Sequence, residues 1–174
     1  MQRVLFLLLL PFVSNLAVCT DIDNKYILGT GDTIKIVVFE EDDMSFEIKI
    51  DESGVFAYPY MNEIQLSGKS TEQIETDLKR GLIGRVLINP DIAVSIVEYR
   101  SFSIGGEVNN PGSYPYEPGL TVKKAINLAG GVTDWATGSK FKLDRDRQRQ
   151  SNEQISEYSL VYPGDVLTIL PRRF

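Results

Sequence analysis

Apolar and polar positions alternate with two different periods along this chain, and the switches between them outline its elements. Ile34, Ile36 and Val38 alternate with Thr33, Lys35 and Val37, which predicts a strand with one apolar face. Residues 46–50 and 55–58 flank Ser53 and Gly54, a pattern that predicts a hairpin with glycine in its turn, and residues 63–66 add a short strand. From Ser70 the period becomes helical. Ile74, Leu78 and Leu82 form one stripe, Ser70 and Gln73 have capping-box spacing, and Gly84 ends the run. Glu72 and Glu75 near its start and Lys79 and Arg80 near its end complement the helix dipole. After Pro90, residues 91–99 read as a strand. Ile92, Val94 and Ile96 share one face and Ala93, Val97 and Tyr99 the other, which predicts cover on both sides.

The second half opens on a tighter pattern. Ile104 and Val108 precede Pro111-Gly112, and Tyr114 and Tyr116 follow it, which predicts two strands about a type II turn with positive φ at Gly112. Thr121 can cap the next helix, in which Val122, Ala125, Ile126 and Ala129 lie at i, i+3, i+4 and i+7 before Gly130 and Gly131 stop it. A loop over 132–136 carries Trp135, a strand is predicted at 141–143, and residues 144–153 are wholly polar and read as a solvated hairpin loop. Residues 156–160 are predicted as the return strand. Gly164-Asp165, with Leu167 and Ile169 following, repeats Gly31-Asp32 with Ile34 and Ile36, so each half contains one turn leading into a strand. The element order predicts an α+β chain of two small units, each with one helix.

The first residues stand apart. A basic head at Arg3 and an apolar run over 4–13 are too short for a membrane span and read as a secretory signal peptide over 1–19. Cys19 is the only cysteine. Leu16-Ala17-Val18-Cys19 resembles a lipobox, which would make Cys19 a site of lipid attachment. Ordinary cleavage after Cys19, with Ala17 and Cys19 at the two small-residue positions, is the other reading. Either way no disulfide can form within the mature chain.

All 24 acidic residues and 17 of the 18 basic ones lie beyond residue 19, so the mature charge is −7. Such a balance opposes nucleic acid or an anionic membrane as a bulk electrostatic partner. The chain has no histidine, which excludes His-based triads and zinc sites. It has no phosphate-binding glycine loop and no dinucleotide fingerprint, and thus no cofactor is expected. The acids at 40–43 lack the glycine and ligand spacing of a calcium loop and read as a solvated loop, with no metal site assigned. No catalytic residue is assigned, and the chain is read as a non-enzyme.

Gly106, Val108, Pro111, Gly112 and Tyr114, followed by Leu120-Thr121-Val122, Ala125 and Ala129-Gly130-Gly131, resemble the soluble ligand-binding β-grasp domain of bacterial polysaccharide export proteins. Tyr26, Leu28, Gly31, Asp32, Ile34 and Ile36, with the order of elements up to Tyr99, resemble the polysaccharide export domain of the same family. The segment containing Gly164 and Asp165 resembles the closing strand of the β-grasp unit. The resemblance implies an export domain over 20–100, with a small mixed sheet and one helix, and a β-grasp domain over 101–174. It implies a periplasmic or outer-membrane-associated component of capsule or exopolysaccharide export, assembled as a homo-oligomeric ring that guides the polymer. Larger members continue into a C-terminal membrane-spanning helix. No such stretch follows Ile169 here, and a separate outer-membrane β-barrel partner is expected beside an inner-membrane polysaccharide copolymerase. A monomeric glycan- or ligand-binding β-grasp module is the alternative. Trp135 then has two candidate roles, stacking on a sugar ring or packing in a core or subunit interface.

Overall fold

A computed structural model of the chain describes residues 26–145 and 155–172. Cys19, the leader around it and most of the polar run at 144–153 lie outside the described residues.

The first unit contains strands β1 (Thr33–Val38), β2 (Phe46–Lys49), β3 (Val55–Ala57) and β4 (Glu63–Gln65), helix α1 (Thr71–Leu82) and strand β5 (Ile92–Glu98). β1 is central in a three-stranded antiparallel sheet with β2 and β5, whereas β3 and β4 form a separate two-stranded sheet. The expected hairpin of residues 46–58 is therefore not formed. β2 pairs with β1 and β3 with β4, because Asp51 accepts from the Ser53 and Gly54 amides and turns the chain from one sheet into the other. The capping box of α1 is complete: the Gln73 amide donates to the Ser70 hydroxyl, and the Gln73 side chain accepts from the Ser70 amide. Ile74, Leu78 and Leu82 of α1 pack with Ile34, Ile36, Val38, Ile92 and Val94 in one core. β5 has only one covered face, contrary to the sequence expectation. Helix α1 packs on one face of this antiparallel sheet, against Ile92 and Val94, so Ala93 and Val97 on the other face are exposed.

The second unit contains β6 (Phe102–Gly106), β7 (Gly112–Tyr114), helix α2 (Val122–Leu128), β8 (Ala136–Asp144) and β9 (Val166–Pro171). Its sheet runs β7-β6-β9-β8, with β6 and β9 parallel and the other pairs antiparallel. Val122 and Ala125 of α2, with Ala129 at its C-cap, pack against Phe102, Ile104, Leu167 and Ile169 in a second core. Two helices with several mixed sheets make this an α+β chain.

The expected return strand at 156–160 is a single turn with one isolated bridge, Thr121 to Leu160. Ser156 and Ser159 direct their hydroxyls to local amides and thereby compete with strand pairing. The segment serves α2 instead. The Val122 and Lys123 amides donate to the Ser159 and Glu157 carbonyls, and the Lys124 amide donates to the Thr121 hydroxyl, so the first helix donors are satisfied.

Candidate functional site: the junction and the glycine-lined face

Both glycine-aspartate turns have the same internal geometry. In the first, Asp32 accepts from the Gly29 amide at 2.8 Å while its own amide donates to the Gly29 carbonyl. In the second, Asp165 accepts from the Tyr162 amide at 2.9 Å while its amide donates to the Tyr162 carbonyl. Gly31 and Gly164 take φ of +97° and +83°, values that disfavour a side chain. Asp32 and Asp165 are both buried.

Arg100 lies between the turns. Its amide donates to Asp32 at 2.7 Å and its guanidinium approaches the same carboxylate at 3.2 Å. Asp32 also accepts the Tyr26 hydroxyl at 2.8 Å. Burial, then the neighbouring Asp32 charge, push the Tyr26 hydroxyl far above its ordinary value, with Arg100 opposing the shift. The guanidinium also occupies the space beside two glycines: a Cβ at Gly164 would meet Arg100 Nε at 2.6 Å, and one at Gly29 would collide with the guanidinium. The Gly164 amide donates to the Ser101 carbonyl, and the Ser103 amide to the Asp165 carbonyl. Tyr26, Tyr99 and Tyr116 stack edge to face in sequence, with centroids 5.1 and 5.3 Å apart. The two units thus meet where Tyr99 stacks on Tyr116 and where the Arg100 guanidinium, held by buried Asp32, lies against Gly164.

The stretch 106–114 folds differently from the expected turn. Gly112 is the first residue of β7, and it is Gly106 that carries positive φ, +80°. A Cβ at Gly106 would collide with the Ile169 carbonyl, so the parallel β6–β9 contact demands glycine there. Val108 is buried and bridges to Val132 rather than extending β6, and Pro111 is an exposed loop residue directly before β7. Tyr116 lies beyond β7 in the aromatic ladder. Tyr114 donates to the Asn110 carbonyl at 2.7 Å and fixes the loop. Gly130 and Gly131 take φ of +78° and +87°, which brings their carbonyls to the Asn109 side-chain and main-chain amides. Loop and helix terminus are therefore laced together.

Beside that lacing, Trp135 is 64% exposed, and Leu128 and Val132 also face outward. A place for Trp135 in the chain's own core is thereby excluded. The Trp135 carbonyl accepts from the Arg172 amide at 2.7 Å, which ties its loop to the end of β9. Among the described residues, no three His, Cys, Asp or Glu side chains converge as a metal site, and no helix is long and apolar enough to cross a membrane.

Arg100 is the junction residue that sequence reasoning missed. Its partner Asp32 is 68 residues away, and only the matched glycine-aspartate repeat hinted at two turns meeting.

Comparison with known proteins gives the same division. The model of polysaccharide biosynthesis/export proteins matches residues 20–97, and that of the SLBB domain matches residues 101–156. The exopolysaccharide production protein ExoF of Rhizobium meliloti is 30% identical over 149 residues, covering 78% of this chain and 35% of ExoF. The EPS I polysaccharide export outer membrane protein EpsA of Ralstonia nicotianae is 27% identical over 147 residues, covering 69% of this chain and 38% of EpsA. Its namesake in Ralstonia solanacearum is 26% identical over 183 residues, covering 84% and 48%. The chain thus spans between about a third and a half of the length of these relatives. Both matched units, in the same order as the two cores, lead to one conclusion: the chain belongs to the polysaccharide biosynthesis/export protein family.

Proposed function

We propose that this chain is a periplasmic or outer-membrane-associated component of an exopolysaccharide or capsule export machine, in which copies assemble into a ring that conducts the polymer. The observation that carries the proposal is the junction: Arg100, anchored on buried Asp32, lies against Gly164, and the aromatic ladder runs from Tyr26 through Tyr99 to Tyr116, a join between two small units that suits a repeating structural subunit. The glycine motifs are accounted for by folding, and none of these residues is reactive. The role is transport rather than catalysis. On this reading the polymer, further copies of the chain, an outer-membrane β-barrel and an inner-membrane copolymerase are its partners, and Trp135 contacts either polymer or a neighbouring subunit. Lipid attachment at Cys19 would tether the ring to a membrane.

The alternative is a monomeric periplasmic module that binds glycan through the exposed Trp135 face. The mass of the native particle separates the two. The ring predicts a discrete multiple of the protomer mass in mild detergent. A particle that stays monomeric at high concentration, with polymer present or absent, overturns the ring.

A further inference from the structure

The two units differ in charge far more than the whole chain suggests. Residues 20–100 hold 16 acidic and 8 basic side chains, whereas residues 101–174 hold 8 and 9, giving −8 and +1. The acidic unit has a groove of about 270 Å³ in which apolar and acidic side chains are mixed, formed by Phe39, Glu40 and Glu41 on one side and by residues 87–91 on the other. Its walls are joined by the Phe39 amide, which donates to the Asp91 carbonyl at 3.0 Å. Ile88 is 94% exposed and Phe39 55%, and Ile83 and Val86 on the same α1–β5 connection also face solvent. Single exposed apolar residues are ordinary, but a run of them rimmed by acids marks a contact surface.

The second unit has a complementary face. β8 is an edge strand of its sheet, and Lys140, Lys142 and Asp144 alternate outward from it while Phe141 and Leu143 turn to the core. Across β9, Thr168 lies opposite Lys142, and the exposed Val166 lies opposite Asp144. Lys142 contacts Asp144 at 2.8 Å, but both side chains are more than half exposed, so that pair is weak and easily exchanged for another acid.

We infer that the groove of one copy receives the outward face of β8 from a second copy, with Glu40, Glu41 and Asp91 around Lys140 and Lys142. The inference rests on the ring reading above and assigns its contact. Within one chain the groove lies at the far end of β1 from the Asp32 junction, about 20 Å away along the strand. A twofold dimer through the groove would set acid against acid and is disfavoured by its own charge. Two different surfaces meeting head to tail give a ring when the rotation closes. The same acids repel an anionic polymer or membrane surface, so a second copy is the occupant that the charges select.

Two full-chain variants test this, one with Glu40→Lys and Asp91→Lys, the other with Lys140→Glu and Lys142→Glu. All four positions are exposed, and thermal unfolding of each variant checks that the fold is kept. Each variant alone is expected to lose the assembled particle in native mass measurement, because groove and edge then carry the same sign. An equal mixture is expected to recover it, with the variants alternating. Assembly of either variant alone at the wild-type level, or no recovery on mixing, overturns the assigned contact while leaving a ring standing. A wild-type chain that remains monomeric overturns the ring itself and the contact with it.

Discussion

Arg100 holds Asp32 twice, through its main-chain amide at 2.7 Å and its guanidinium at 3.2 Å, and this carboxylate is fully buried at the meeting point of the two units. The same guanidinium lies against Gly164 of the second glycine-aspartate turn, so one side chain joins both repeats.

Removing one member of a buried ion pair leaves the other without its partner. Asp32→Ala is expected to cost about 3–5 kcal/mol of unfolding free energy. Arg100→Lys keeps the charge but not the planar fork and is expected to lose about 1–3 kcal/mol. Denaturant unfolding measures both. Wild-type stability in Asp32→Ala would remove the junction from the account.

Neighbouring glycines in β6 give opposite expectations. Gly106→Ala forces a side chain into positive φ and against the Ile169 carbonyl, for a loss of more than about 1–3 kcal/mol. Gly105→Ala meets nothing within 4 Å and should unfold close to the wild-type temperature. Equal melting of the two variants would contradict the β6–β9 geometry.

Tyr58 gives a pH signature. Its hydroxyl donates to the Met44 carbonyl at 2.5 Å, and burial, with the Asp43 charge second, pushes it from 10.0 up to about 12. A raised folded value means that this stabilisation is complete below pH 10 and is lost as pH rises toward 12. Tyr58→Phe, about 1–3 kcal/mol less stable at neutral pH, should show a shallower decline across that window. Parallel pH–stability curves for the two proteins would remove Tyr58 as a source of the decline.

Trp135 is the only tryptophan, so its fluorescence reports on one place. Trp135→Ala should leave the melting temperature within a degree or two, since the ring is 64% exposed, while reducing surface polysaccharide. In the wild type, emission should move to shorter wavelength on assembly or on addition of the polymer. No change under either condition removes Trp135 from the contact surfaces.

Local signals carried much of the fold. Ser70 with Gln73, Thr121, and the stripes Ile74-Leu78-Leu82 and Val122-Ala125-Ala129 act within one helix, and they predict α1 and α2 nearly to the residue. Strand partners were less legible. Residues 46–58 have hairpin chemistry, yet Asp51 turns the chain so that β2 pairs with β1 and β3 with β4. Gly112 follows proline as a type II turn requires, yet the positive φ belongs to Gly106, where a parallel neighbour approaches its backbone. The apolar residues on both faces of β5 could not reveal that α1 covers only one of them. Arg100 carried no local mark at all, since its role depends on Asp32 and Gly164, both distant in sequence.

The most direct test of the export role is the amount of polysaccharide on the cell surface after deletion of the gene, with the intact chain restored in a parallel strain. Export through this protein predicts that surface polymer falls sharply in the deletant and returns on restoration. Surface polysaccharide at the wild-type level in the deletant would contradict the account.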